Sequence, residues 1–191
     1  MERLSDNYYV EKIRDGEIAC FAPLLERYSN QVFSLVVRIV GNKEDAEELA
    51  QDVFVKAYSA LSSFRGECSF STWIYRIAYN IAISATRKKA NDFVPVDENL
   101  VTGMADEVDD MAFEDSDPGS MRFVYLNHAL DELAPEDRAL ITLFYKEGKF
   151  IGEIAVITGL TETNVKTKIF RIRKKLFVLI KTMEKNSYET D

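Results

Sequence analysis

Basic and hydroxyl side chains recur at helical spacing near the C-terminal end of the chain, in a pattern suited to contact with nucleic acid. Seven Lys or Arg residues and no acidic residue lie between positions 164 and 181. Cations of this kind bind phosphates, and side chains on the exposed face of a helix reach base edges in the major groove. The candidate contacts on this face are Thr163, Asn164, Lys166, Thr167, Phe170, Arg171 and Lys174.

The elements that position these side chains match a helix-turn-helix pattern over residues 150–175. Ala155 allows two helices to cross closely, Gly159 supplies the turn, and Thr161 caps the second helix. One face of that second helix is apolar, which directs the basic face outward. A basic amphipathic helix on a membrane surface or a partner is the alternative. Because the turn and the basic face occur together, the pattern favours DNA binding.

A second group of candidate contacts combines aromatic rings with Arg, Asn and Lys between residues 64 and 88. Unstacked bases offer π faces and hydrogen-bonding edges that such side chains bind. The candidates are Phe64, Arg65, Trp73, Arg76, Asn80, Arg87 and Lys88. The helix near residues 71–89 has an apolar stripe and a separate polar arc. Ile83 lies on this arc together with four polar residues, Thr72, Arg76, Asn80 and Arg87. Composition alone favours the alternative that the aromatic residues are core residues of a helical bundle.

An acidic face is predicted on the outer side of a helix near residues 43–62. The apolar stripe of this helix faces inward, and Val55 lies among the polar residues of the outer arc. An acidic outer face is usually only solvated, but an apolar residue within it indicates a protein partner. The polar residues of this arc are Asp45, Glu48, Gln51 and Asp52.

The charge of the chain is distributed unevenly. The 191 residues carry a net charge of -8, yet residues 1–90 contain 12 acidic and 12 basic side chains. Residues 91–121 contain 10 acidic and no basic side chains, together with two prolines and two glycines. Such a composition buries too little apolar surface to offset the entropy of ordering, and it predicts a flexible acidic linker. The linker is either a solvated tether or a strip of carboxylates that occupies a basic groove on a partner.

Helical periodicity dominates on both sides of this linker, and no alternating strand pattern is present. The predicted helices lie near 8–15, 17–40, 43–62, 71–89, 120–132, 136–147, 151–158 and 162–183. We therefore predict an all-α protein with two small helical domains, residues 5–90 and 122–185, joined by the flexible acidic linker 91–121.

Several classes of protein are excluded by composition. No apolar run approaches the length needed to cross a bilayer, and the N-terminus is too charged for a signal peptide. Two cysteines without a pairing signature suit a reducing cytosol. A single histidine, His128, and no CxxC pair argue against a zinc site or a carboxylate-bridged metal centre. We expect a cytoplasmic protein with no membrane insertion, metal or cofactor.

Taken together, these motifs resemble the extracytoplasmic-function sigma factors, the small two-domain members of the bacterial sigma family. The resemblance covers nearly the whole chain and is carried by residues 45–54, 64–78, 80, 133–138, 153–155 and 164–176. It implies a sigma-two-like domain that docks on core RNA polymerase through the acidic face and melts and reads the minus-ten promoter element. It also implies a sigma-four-like helix-turn-helix domain that reads the minus-thirty-five element.

The resemblance has consequences for function and partners. It implies a transcription initiation factor, not an enzyme, with core RNA polymerase, promoter DNA and an anti-sigma factor as partners. The alternatives are a helix-turn-helix transcription regulator and a decoy that binds polymerase without a promoter. Two hypotheses concern the linker: its carboxylates imitate nascent RNA, or they mask the basic surface from Lys166 to Lys175 in the free protein.

Overall fold

The fold was established with a computed structural model that describes residues 4–91 and 121–188. All regular structure in these two ranges is helical. The first domain contains α1 (Asp6–Arg14), α2 (Phe21–Val40), α3 (Lys43–Ala60) and α4 (Phe70–Asn91). The second contains α5 (Met121–Asp131), α6 (Pro135–Ile141), α7 (Ile151–Thr158) and α8 (Glu162–Tyr188). The predicted linker lies outside the described residues, apart from its terminal positions 91 and 121.

Helix boundaries follow local sequence signals. Gly41, with φ 73°, ends α2 in the left-handed conformation that glycine adopts without strain. The side chain of Asn42 begins α3 by accepting a 2.9 Å hydrogen bond from the Asp45 N–H. Pro135 occupies the first turn of α6, where its missing N–H costs no helical hydrogen bond. These starts confirm the caps that the sequence predicts.

In the first domain, α2, α3 and α4 pack against one another and α1 packs against α2. The predicted inward stripe of α3 is confirmed, because Ala46, Val53 and Ala57 are fully buried. Leu35 and Ile74 contribute large buried side chains from α2 and α4. Val55, on the opposite side of α3, is 69% exposed. The domain therefore leaves the acidic arc of α3 open to solvent.

In the second domain, α5, α6 and α7 each pack against the long helix α8. The core side of α8 carries Val165, Ile169, Ile172 and Leu176, all buried as predicted from periodicity. A single π-helical turn, Thr142–Lys146, follows α6 and leads towards α7. None of the helices in residues 4–91 and 121–188 contains an apolar stretch of the length that a bilayer span requires.

The two domains pack directly on each other. Helix α4 contacts α7 and α6, and α2 contacts α6, so that the buried side chains of both domains form one continuous hydrophobic core. The sequence places Thr72 and Ile83 on an arc of α4 open to DNA, and this is wrong: they are only 2% and 4% exposed. Periodicity indicates which face is polar, but it does not reveal that a second domain covers part of it.

Candidate nucleic-acid interface

The helix-turn-helix is formed by α7 and α8, as the sequence predicts. Gly159 has φ 75° and makes the turn between them. The Thr161 hydroxyl accepts a 3.2 Å hydrogen bond from the Asn164 N–H and so caps α8. Ile154 and Val165 are fully buried between the helices. The cap and the shared core fix the direction of the first turns of α8, from which base contacts are made in this motif.

The predicted face of α8 is open to solvent. Lys166 and Arg171 are exposed, and Phe170 is 50% exposed although it is aromatic. Lys174 is half-buried, with its ammonium 4.8 Å from the centroid of the Phe170 ring, within the range of a cation–π contact. The remaining exposed members of the predicted set are Thr163, Asn164 and Thr167. One helix thus presents cations, hydroxyls, an amide and an aromatic ring on one side.

The start of α7 departs from an ordinary helix cap. Phe150 occupies the N-cap position with its side chain 79% exposed, and a phenyl ring offers no acceptor to the first turn. The Glu153 carboxylate accepts the Phe150 N–H at 3.0 Å, which supplies the reciprocal half of a cap. Burial alone would raise the pKa of Glu153. Its hydrogen bonds from Phe150 and Thr72 and the charge of Lys149 outweigh burial, so this pKa is lowered.

The aromatic residues of the first domain form one cluster at the start of α4. Phe64 and Phe70 are 4% and 1% exposed, whereas Trp73 is half-buried. The ring of Trp73 lies 5.1 Å from that of Phe64 and 5.6 Å from that of Phe70. Arg14 donates to the Phe64 carbonyl and ties the loop to α1. Phe64 and Phe70 are therefore core residues, and Trp73 is the ring with surface left for a base.

The polar candidates of the first domain lie along and beside α4. Arg65, Arg76, Asn80 and Lys88 are exposed. Arg87 is also largely exposed, but its guanidinium donates a 3.1 Å hydrogen bond to Glu136 of the second domain. One of the predicted DNA contacts is thus already paired across the domain boundary.

A cavity of about 740 Å³ lies between the two predicted DNA-contacting regions. From the first domain it is lined by Arg65, Trp73 and Arg76. From the second it is lined by Gly159 and by Glu162 in the first turn of α8. The structure thus brings the aromatic loop and the start of α8 to the two sides of one cleft.

The predicted acidic face of α3 is present, with one internal contact. Glu48, Gln51 and Asp52 are exposed. Asp45 forms an ion pair with Lys89 at the end of α4. No sequence signal paired these two residues, which are far apart in the chain.

Sequence reasoning also missed a polar cluster at the domain boundary. Thr72 donates to Glu153 at 2.9 Å, and Tyr75 donates to Glu147. The Lys149 ammonium lies 4.8 Å from the centroid of the Tyr75 ring. Burial raises the pKa of the Tyr75 hydroxyl, and its bond to the Glu147 carboxylate raises it further. No local signal in the sequence paired Thr72 with Glu153 or Tyr75 with Glu147, because the partners lie more than 70 residues apart.

Comparisons with known proteins agree with this division into two domains. Residues 24–91 match sigma-70 region 2, and residues 123–176 match sigma-70 region 4. The ECF RNA polymerase sigma-E factor of Escherichia coli K12 is 34% identical over 189 residues, which span 92% of this chain and 94% of the relative. The chain belongs to the extracytoplasmic-function sigma factors. The resemblance inferred from the sequence is therefore confirmed.

Other members of the family show the same extent of similarity. The ECF RNA polymerase sigma factor SigW of Bacillus subtilis is 30% identical, over 87% of this chain and 92% of its own length. Among solved structures, CnrH in complex with the cytosolic domain of CnrY superposes with a TM-score of 0.64. It is 22% identical and covers 93% of this chain and 97% of CnrH. This likeness supports the all-α fold.

Membership of the family defines the general activity of the chain. It is a transcription initiation factor that gives RNA polymerase promoter specificity, and it is not an enzyme. The predicted all-α fold of two helical domains is likewise confirmed.

Proposed function

We propose that this sigma factor reads promoters through two surfaces, the exposed face of α8 for the minus-thirty-five element and the region around Trp73 for the minus-ten element. The observation that carries the proposal is the face of α8 itself. Its cations and polar groups are exposed on a helix whose other side is buried and whose first turn is capped. The domain boundaries proposed for these roles are residues 5–90 and 122–185.

On duplex DNA, some side chains of α8 read the base sequence, and others fix the position of the helix on the DNA backbone. Thr163, Asn164 and Lys166 lie in the first turns, where a recognition helix meets base edges. Arg171 and Lys174 lie further along and contact phosphates. Phe170 offers an apolar surface suited to the methyl group of thymine.

In the first domain, an unpaired base stacks on the exposed part of Trp73. Arg65, Arg76 and Asn80 supply hydrogen-bond donors around it, and Lys88 and Arg87 meet the backbone. Stacking and these hydrogen bonds recover part of the unstacking energy, which is on the order of a few kcal/mol per base. Phe64 acts beneath this surface as the support of the Trp73 ring.

The outer arc of α3 docks on core polymerase. The carboxylates of Asp45, Glu48 and Asp52 form charge-assisted hydrogen bonds with a basic partner, and Gln51 contributes an amide. Val55, which is 69% exposed, supplies an apolar contact in the same arc. Asp45 exchanges its ion pair with Lys89 for the partner when docking occurs.

The proposed cellular setting is the cytoplasm, where the polymerase and the promoter are. An anti-sigma factor is the proposed inhibitory partner. Solved relatives support this, since a sigma factor RpoE was solved with the anti-sigma factor NepR and CnrH with the cytosolic domain of CnrY. Pull-down with the intact protein is the experiment that identifies such a partner for this chain.

Run-off transcription from a fragmented genomic library, with bacterial core polymerase and with or without this protein, tests the proposal. New transcripts that share an upstream sequence are expected, and this sequence gives the promoter. Co-elution with core polymerase without new transcripts favours a polymerase-binding decoy. Failure to co-elute contradicts the docking role of α3 and favours a helix-turn-helix regulator.

A further inference from the structure

The first turn of α8 carries one carboxylate on a surface that is otherwise cationic. Glu162 is the first residue of α8, and its side chain is exposed. It is the only acidic residue between Glu153 and Glu184, a stretch that contains the seven Lys or Arg residues near the C-terminal end. A carboxylate repels phosphates, so it opposes the general attraction between these cations and DNA. Its presence on this helix therefore needs a specific explanation.

Glu162 lies on the same face of α8 as two of the proposed DNA contacts. Lys166 and Phe170 follow it at intervals of four residues, and residues at this spacing form one column along a helix. Both side chains are exposed, as is that of Glu162. In a helix-turn-helix, the N-terminal residues of the second helix come closest to the base edges. The carboxylate thus lies at the end of the column that is proposed to enter the major groove.

The Glu162 carboxylate is not used inside the protein. It has no ion-pair or hydrogen-bond partner among the residues that the structure describes. Glu153, in the first turn of α7, differs in this respect, because its carboxylate accepts the Phe150 N–H and forms part of a helix cap. The carboxylate of Glu162 therefore keeps its full capacity to accept hydrogen bonds from a ligand.

Gly152 of α7 leaves room beside this carboxylate. A Cβ atom at position 152 would lie 3.3 Å from the Glu162 Oε1, which is closer than side chains ordinarily pack. Any residue other than glycine would therefore displace the carboxylate by a few tenths of an ångström. The small residue at this position allows the start of α8 to hold its acidic side chain against α7.

A carboxylate in the major groove discriminates between bases because it accepts hydrogen bonds and donates none. Guanine and thymine present acceptors there, which repel it. Adenine presents its N6 amino group beside the N7 acceptor, whereas cytosine presents its N4 amino group with no acceptor of its own. Cytosine is therefore the base that an ionised carboxylate binds best.

We propose that Glu162 is a specificity-determining residue, which accepts a hydrogen bond from the N4 amino group of one cytosine in the minus-thirty-five element. Gly152 acts as a positioning residue, because it leaves the space that the carboxylate occupies. This inference rests on the proposed function of α8 as the helix that reads this element. The carboxylate adds selectivity for sequence and weakens the general attraction to DNA.

A purely structural role of Glu162 predicts a different result. A negative charge in the first turn interacts favourably with the positive end of the helix dipole. Loss of such a stabilising charge would weaken binding to every promoter sequence by the same factor. Base preference at a single promoter position therefore distinguishes the reading of a base from stabilisation of the helix.

The test measures base preference with the full-length chain assembled on core polymerase. The DNA is a promoter recovered by the run-off experiment, in which each position of the minus-thirty-five element is randomised. Sequencing of the bound fragments gives the preference at each position. The wild type is expected to prefer cytosine to thymine at one position by about tenfold, the order of magnitude of one good base contact.

Glu162→Gln is the most informative variant, because an amide both accepts and donates hydrogen bonds. Glutamine binds N6 and N7 of adenine together. The preference at this one position is therefore expected to change from cytosine to adenine, while the other positions keep theirs. Glu162→Ala is expected to lose the preference for any base there. Gly152→Ala is expected to reduce the cytosine preference by less than Glu162→Ala does, because the carboxylate is displaced but still present.

Glu44→Gln is the matched control. It removes an exposed carboxylate from the first turn of another helix, α3, and changes the net charge by the same amount. This variant is expected to keep every base preference of the wild type. Circular dichroism checks that all the variants have the helix content of the wild type.

The outcomes separate this inference from the proposed function. An unchanged base preference in both Glu162 variants would overturn the inference, and so would an equal loss of binding to all promoter sequences. A wild type that selects no upstream sequence with core polymerase would contradict the proposed function of α8 itself. Selection of an upstream element that does not depend on Glu162 would contradict only the role of this carboxylate.

Discussion

Arg171 and Lys174 lie on the same side of α8 but stand in different surroundings. Arg171 is exposed and makes no ion pair with another residue of the described ranges. Lys174 is half-buried with its ammonium over the Phe170 ring. A cation held by a ring has a fixed direction, whereas a solvated guanidinium adapts to a phosphate. Arg171 is therefore the better probe of contact with the DNA backbone.

Changing Arg171 to Ala is expected to weaken binding of minus-thirty-five duplex DNA. If Arg171 meets a phosphate, the slope of log affinity against log salt concentration falls by about one unit. Fluorescence anisotropy at several salt concentrations measures this slope. Lys181→Ala, on the same helix but two to three turns further on, is the control. An unaltered slope for the Arg171 variant would move this residue to base reading or to no contact.

Asp52 provides the corresponding probe of polymerase docking. It is exposed on the outer arc of α3, and reversing its charge opposes a basic partner. Asp52→Arg is expected to reduce co-elution with core polymerase while leaving minus-thirty-five duplex binding by the full chain intact. Glu11→Arg, at an exposed position of α1, controls for the change in net charge. Equal loss of both activities would indicate misfolding instead of lost docking.

At the scale of elements, the direction of α8 depends on its first turn. The Thr161 hydroxyl accepts the Asn164 N–H, and the neighbouring Thr163 and Lys166 are proposed base contacts. A frayed first turn would leave these contacts without a fixed position. The cap is therefore a structural group on which DNA reading depends.

Thr161→Ala is expected to lower the free energy of unfolding by about 0.5–2 kcal/mol, because the cap is lost. Urea denaturation measures this loss, and duplex binding is expected to weaken in parallel. Thr182→Ala is the control, since that exposed hydroxyl only donates to a carbonyl of its own helix at 2.9 Å. A similar loss of DNA binding in both variants would show that the cap has no special role.

Local signals in the sequence were sufficient for the helices but not for their packing between domains. Asn42, Pro135 and Gly159 mark helix ends by their own chemistry, so those boundaries were predictable. The burial of Thr72 depends on Glu153, which is far away in the sequence. Ile83 among polar residues of α4 was the one sign that this face is covered. The sequence therefore predicted which helix faces carry the candidate site. It did not predict that the aromatic loop and the start of α8 line one cleft.

At the scale of the whole molecule, negative charge is concentrated in residues 91–121, the segment that joins the two domains. The ten carboxylates of residues 91–121 are proposed to take the place of nascent RNA during initiation, because no cation among them reduces their field. Alternatively, the same carboxylates bind the basic face of α8 and mask it in the free protein. Both roles depend on charge and not on the order of the residues.

Replacing these ten acidic residues with Asn and Gln is expected to change the ratio of short to full-length transcripts. Gel analysis of transcripts made with core polymerase measures this ratio. A chain with the same linker composition in scrambled order is the control and is expected to match the wild type. Unchanged ratios in the neutralised chain would exclude the imitation of RNA.

The continuous core has a consequence for how the protein unfolds. Because side chains of both domains are buried together, the chain is expected to unfold in a single cooperative transition. Ile154→Ala, in the fully buried core of the second domain, is expected to cost about 2–5 kcal/mol. Trp73, the only tryptophan, reports on the first domain by fluorescence. Its unfolding midpoint is expected to shift together with that of the total helix content, and an unshifted Trp73 transition would contradict this.

Cooperative unfolding links the lifetime of the protein to the contact between its domains. A chain whose domains separate exposes apolar surface from both halves of the core, and each small domain then relies on its own remaining contacts. Proteases degrade mainly such opened states. The shared core is therefore expected to protect the chain from proteolysis as well as from unfolding.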